Sequence, residues 1–156
     1  EVDMINQMSK HFILTEMTKT SHKDLQEKNR KAVTPELYEA GERLCEDLLE
    51  PIREHFGKPL IITSGFRCLK LNKRVMGSAN SQHCKFEAAD FVVDGVNLLS
   101  IFDYITRSDL RFGQVILEPN WIHISLGHPY RSMADSGEMM VYDGKKYTHI
   151  QEEDRA

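Results

Sequence analysis

Two β-prone runs, Gln114 to Glu118 and Trp121 to Leu126, are separated only by Pro119-Asn120. So short a link suits an antiparallel hairpin, because a parallel pair needs a crossover of a dozen or more residues. With the turn at Pro119-Asn120, Glu118 lies opposite Trp121 and Ile116 lies opposite His123. Directly opposed residues share a face, as do residues two apart on one strand. Glu118, Trp121 and His123 therefore project from one side of the sheet. The diagonal between Glu118 and His123 spans roughly 7 Å between backbone positions.

The remaining elements assemble around this hairpin. Thr34-Pro35-Glu36 reads as a helix start, with a hydroxyl N-cap, Pro at the first helical position and an acid in the first turn. Leu37, Ala40, Leu44, Leu48, Leu49, Ile52 and Phe56 continue it at helical spacing. Pro51 should kink or divide that helix, and Gly57 should cap it. Leu60 to Thr63 and Glu87 to Val93 read as strands, with a polar loop at Gly77 to Ser81 between them. Asn97 caps a helix over Leu98 to Thr106, with Ile101, Phe102 and Ile105 inward. Met139 to Tyr142 and Lys146 to Ile150 form a terminal hairpin around Asp143-Gly144. The order implies an α+β fold: one domain over 1–156, with a small, mainly antiparallel sheet flanked by helices.

Composition narrows the function. At 156 residues, with 40% hydrophobic and 28% charged content, the chain suits one well-buried domain. No apolar stretch is long enough for a membrane span, and no signal peptide is visible. A formal charge of −4 gives no reason to expect nucleic acid as a partner. The basic cluster Lys28-Asn29-Arg30-Lys31 reads as a solvated loop. Cys45, Cys68 and Cys84 have no paired spacing, which argues against a disulfide framework. Cys84 adjoins His83 and, on an extended segment, should face away from it as a small buried thiol.

His83, Asp90 and His123 supply two imidazoles and a carboxylate, a ligand set suited to one catalytic zinc ion per chain. Three protein ligands leave a fourth position open, whereas a structural site is closed by four. Zinc binding through them should weaken below about pH 6, because imidazole must be neutral to coordinate. Glu118, on the face of His123, is the general-base candidate. The other histidines, His11, His22, His55, His128 and His149, compete as ligands; of these His128 stands nearest to the site in sequence.

The string Ile62-Thr63-Ser64-Gly65-Phe66-Arg67, then Leu71-Asn72, Gly77-Ser78 and Ser81-Gln82-His83 through Ala88-Ala89-Asp90, resembles the D-alanyl-D-alanine metallopeptidases. The match is closest to the bacterial and bacteriophage branch. In zinc site it is similar to the lysostaphin and hedgehog-type group. The family signature S-x-H-x-x-G-x-A-x-D, followed by W-x-H on a later strand, runs through a family-like core of about residues 10 to 127. A C-terminal hairpin extension follows at about 128 to 150.

The resemblance implies zinc on His83, Asp90 and His123, with Arg67 stabilising the oxyanion. Glu118 would serve as general base and then acid, and Ser81 and Trp121 would meet the substrate or hold its loop. The implied activity is hydrolysis of peptidoglycan stems or cross-links, as carboxypeptidase or endopeptidase. The implied setting is a phage lysis enzyme, monomeric, made in the cytoplasm and acting at the wall after release; export with a leader removed is the other route. The competing reading is a non-catalytic zinc-containing phage structural or binding module of the same fold, which a fourth protein ligand would favour. Two departures stand out. Phe86 replaces the signature Gly, and Asn120 stands where many relatives carry an acid three residues before the last histidine.

Overall fold

The computed structural model describes residues 4–128 and 131–151. Its first long element is a rod made of α3 (Pro35–Leu44), a wider turn at Cys45–Leu49 and α4 (Glu50–Phe56). Thr34 Oγ1 accepts from the Leu37 amide at 3.2 Å and caps the start. Gly57 ends the rod in the left-handed region at φ 63°, which glycine enters without penalty. Pro51 does not break it. Instead the Glu50 amide bonds back to the Cys45 carbonyl, five residues earlier. This π-type turn takes up the irregularity that the proline's missing N–H and bulky ring impose. Leu44, Cys45, Leu48, Leu49 and Ile52 remain fully buried across the junction.

Ahead of the rod lie two helices without a sequence forecast, α1 (Leu14–Met17) and α2 (Gln26–Lys31). The second corrects the reading of Lys28 to Lys31 as a loop: the basic side chains occupy a helical turn, and Lys31 pairs with Glu27 at 3.1 Å. A short α5 (Leu69–Arg74) follows the first strand, and α6 (Leu98–Arg107) begins at Asn97, whose Oδ1 accepts from the Ser100 amide at 2.8 Å.

The strands are β1 (Leu60–Ser64), β2 (Ala88–Val93), β3 (Phe112–Leu117), β4 (Ile122–Leu126), β5 (Glu138–Tyr142) and β6 (Tyr147–His149). They form one six-stranded sheet in the order β1-β2-β4-β3-β5-β6. Four pairings are antiparallel, and β3 with β5 is parallel. The fold is α+β with a mostly antiparallel sheet, as the element order implies. The parallel pair follows from the hairpin. Since β4 returns the chain to the start of β3, where Phe112 pairs with Leu126, a strand on the far side of β3 runs alongside it. The terminal hairpin is thus a continuation of the sheet.

Alternate residues divide the two faces. Ala89, Phe91 and Val93 of β2, Val115 of β3, and Ile122, Ile124 and Leu126 of β4 join the hydrophobic core with the helices. On the opposite face Asp90 pairs with His123, and His123 with Ile116. The β3–β4 register is the one the Pro119-Asn120 turn requires. No helix among the described residues is long and apolar enough to cross a membrane.

Candidate metal centre

Ser81 begins a tight turn over Gln82–Lys85, its hydroxyl accepting from the His83 amide at 3.2 Å. The turn brings His83 beneath the loop after β1, where only 3% of it is exposed. His83 Nδ1 donates to the Gly65 carbonyl at 2.7 Å. A carbonyl only accepts, so the proton sits on Nδ1 and the lone pair on Nε2, which lies 3.3 Å from Asp90 Oδ1. Across β2–β4, His123 Nδ1 stands 2.9 Å from the same oxygen, and His123 Nε2 meets Gln82 Oε1 at 3.0 Å.

One ligand atom each from His83, Asp90 and His123 lies within 4.8 Å of the others. A tetrahedral zinc with ligands at about 2.0–2.1 Å separates its donors by roughly 3.3 Å, close to these spacings. Both imidazoles also have an oxygen acceptor on the nitrogen facing away from Asp90, the usual outer arrangement of metal-bound histidine. The residues therefore fit a zinc ion. Protonation favours it too. Burial alone would raise the Asp90 carboxyl, but His83 and His123 hold it well below the usual carboxylate range. Burial lowers the His83 imidazole against the opposing pull of Asp90. A charged carboxylate and a neutral imidazole are the forms that coordination requires.

Phe86 occupies the signature's glycine position in the conformation that favours glycine, at φ 56° and ψ 34°. The loop after His83 therefore takes a left-handed turn despite the substitution. Its fully buried ring packs against Phe66, with centroids 5.4 Å apart, and sits over Gly41 of α3. The same turn overturns the premise about Cys84, which lies on a helical turn and not an extended segment. Cys84 is half-buried, and burial raises its thiol. Among the described residues it is outside the metal-holding group.

Arg67 enters on the loop after β1. Its Nη2 donates to Ser81 Oγ at 3.1 Å, while its buried Nε has no partner. Burial lowers the guanidinium and Asp90 opposes this. Buried Asn29 of α2 splints the loop on both sides. Its Nδ2 donates to the Phe66 carbonyl at 3.0 Å, and its Oδ1 accepts from the Cys68 amide at 2.7 Å. Gly65 is required nearby because a Cβ there would collide with the Met17 carbonyl oxygen.

Arg67, Ser81, His83, Asp90, Glu118, Trp121 and His123 all line one cleft of about 590 Å³. Burial raises the Glu118 carboxyl, Asp90 adds to the effect and His123 opposes it. A larger groove of about 830 Å³ runs past Arg43 and Arg111, but none of the three candidate ligands lines it. His128 does not join the metal group; its Nε2 pairs with buried Glu87 at 2.9 Å, beside Arg131.

Sequence reasoning missed Gln82, Asn29 and Tyr147. Gln82 had a signal, an amide between the capping serine and a ligand histidine. Asn29 lay hidden in what read as a basic loop. Tyr147 lines the cleft only because β5 pairs with β3.

No curated protein matches the chain at a significant level. Residues 10–125 match the family described as Peptidase M15, a span that contains the whole candidate metal group. These peptidases are zinc-dependent, in agreement with the donor set. The chain belongs to the peptidase M15 family.

Proposed function

We propose that the protein is a zinc peptidase that hydrolyses the peptide stems or cross-links of bacterial peptidoglycan, with phage lysis as its setting. The observation that carries this reading is the His83–Asp90–His123 group, each imidazole oriented by an outer acceptor, in a cleft shared with Glu118 and Arg67. Among the described residues the group has three members, which leaves a coordination position for water or substrate. When bound, zinc supplies a Lewis acid for the scissile carbonyl and acidifies its water toward neutrality.

The chain's own groups do the rest. Glu118 accepts a proton from the attacking water and returns it to the leaving amine. Its raised pKa makes the carboxylate a stronger base for the first transfer, the removal of the proton from water. Arg67 lines the cleft and sets its guanidinium charge against the carbonyl oxygen as negative charge develops there. Ser81 holds the guanidinium and the His83 amide together, and Trp121 offers an apolar wall to the stem peptide.

Zinc-loaded protein incubated with purified sacculi should release stem-peptide fragments identifiable by mass spectrometry. Intact sacculi would overturn the proposal. Arg67→Lys distinguishes the two modes of cleavage. Lysine keeps the charge and loses the planar set of donors, so an oxyanion role predicts a lower kcat with little change in KM. A raised KM alone would assign Arg67 to a substrate's terminal carboxylate and favour carboxypeptidase action.

A further inference from the structure

We propose that Gln82 is a positioning residue that ties the metal ligand His123 to the segment following β4, so that residues beyond the family-matched span set the state of the metal centre. The inference rests on the zinc reading of His83, Asp90 and His123. Gln82 bridges two groups. Its Nε2 donates to the Ala134 carbonyl at 3.0 Å, and its Oε1 meets His123 Nε2 at 3.0 Å.

The order of cause runs from Ala134 inward. A backbone carbonyl can only accept, so it selects the amide nitrogen of Gln82 and turns Oε1 toward the imidazole. An amide oxygen also only accepts, so His123 must carry a proton on Nε2. That proton leaves the Nδ1 lone pair facing Asp90 Oδ1, 2.9 Å away, where a metal would sit. The reverse amide orientation sets oxygen against oxygen at Ala134 and places a donor against the imidazole N–H. A carbonyl from outside the matched span of residues 10–125 thereby selects the coordinating tautomer of a ligand inside it.

Ala134 is itself held firmly. It sits in a helical turn at Met133–Asp135, closed by Ser132 Oγ donating to Asp135 Oδ2 at 2.7 Å. Asp135 is buried, and its carbonyl accepts from the His128 amide at 2.7 Å. Immediately after the turn, the Gly137 amide donates to the Gly113 carbonyl at 2.8 Å, and β5 docks on β3. At the other end, the Gln82 backbone carbonyl accepts from the Glu87 amide at 3.1 Å. The amide strut is anchored at both ends, which an incidental surface contact would not be.

The test measures zinc affinity of the full chain by competition with a chromophoric chelator, and the visible spectrum of the cobalt(II) form. Gln82→Ala and Gln82→Met should each bind zinc about 10- to 100-fold more weakly, the usual effect of losing an outer partner of a ligand histidine. Their cobalt bands should shift, while thermal unfolding of the metal-free proteins stays close to the parent. Gln82→Glu keeps an acceptor for His123 and should retain affinity at or above the parent. Ser132→Ala, which loosens the turn, should weaken zinc binding in the parent and have no further effect in Gln82→Ala. Unchanged affinity and cobalt spectrum in Gln82→Ala and Gln82→Met would overturn the proposal, as would equal effects of Ser132→Ala in both backgrounds. Failure of the parent chain to bind zinc would instead defeat the metal reading on which the proposal rests.

Discussion

The β2–β4 pair and the β5–β6 pair belong to one sheet yet have opposite characters. Every residue of β4 is buried, and β2 is buried or half-buried throughout, whereas all three residues of β6 are exposed. The inner pair holds Asp90 and His123 in direct register, with the core packed behind them. The outer pair borders the cleft through Tyr147, whose ring packs tilted against Tyr142 with centroids 4.4 Å apart. Metal-ligand geometry tolerates errors of a few tenths of an ångström, so it belongs on the rigid inner strands. Contacts with a long, flexible substrate tolerate more and can stand on an edge. Changes to the inner pair should therefore appear in metal binding, turnover and folding, and changes to the outer pair in substrate affinity.

The sharpest way to break that division is His123→Ala. We expect stoichiometric zinc to be lost by elemental analysis and hydrolysis to fall to background; full zinc retention would remove His123 from the centre. Proton competition should also strip zinc from the parent below about pH 6, because the imidazoles must be neutral to coordinate. Burial holds His83 below its ordinary pKa, which favours the neutral form that coordinates.

Glu118→Gln should leave zinc content and folding intact and slow turnover by about 100- to 10,000-fold, the typical worth of a positioned general base. Undiminished kcat would mean that another group takes the proton. Asn120→Asp in that background then asks whether an acid at the relatives' position restores turnover.

Phe86→Gly probes the folding side of the inner region. Relief of left-handed strain should return about 1–2 kcal/mol, and loss of a fully buried ring should cost about 3–5 kcal/mol, for a net loss of roughly 2 kcal/mol in denaturant unfolding. Gly41 adds a coupled test. A Cβ there would lie 2.7 Å from the Phe86 ring and 2.8 Å from Met8 Cε. Gly41→Ala should destabilise the parent and be better tolerated once Phe86 is glycine, a coupling of about 1 kcal/mol. Strict additivity would mean that Met8, or the helix itself, sets the limit at position 41.

The smallest effect should come from the outer pair. Tyr147→Ala should raise KM several-fold with kcat nearly unchanged, as expected when a binding contact is equal in ground and transition states. A fall in kcat that matched the Glu118 variant would place the edge hairpin inside the chemistry and dissolve the contrast.

Local physics made much of this molecule legible from its sequence. Thr34, Gly57 and Asn97 are caps, whose chemistry lies within a few residues of chain. The β3–β4 register followed from two turn residues, because a hairpin this tight permits little slippage, and with it came the shared face of Glu118, Trp121 and His123. The ligand types and their order carried the resemblance to the family. Where the reasoning failed, the cause was long-range. Asn29 read as part of a solvated loop because its partners, Thr18, Phe66 and Cys68, are 11, 37 and 39 residues away. Phe86 left the loop's path open, since only the space above Gly41 shows how a bulky residue is held in a glycine conformation.

The sequence by itself thus determined the helix ends, the hairpin register and the identity of the candidate ligands, all of which depend on neighbours close along the chain or on residue type. The tertiary structure alone decided that β5 would run parallel to β3, that Tyr147 would border the cleft, and that Gln82 would connect His123 to Ala134. Those contacts join segments 24 to 52 residues apart. Their formation depends on how the closed β3–β4 hairpin leaves an open edge to be covered, and no local preference of the residues concerned encodes that.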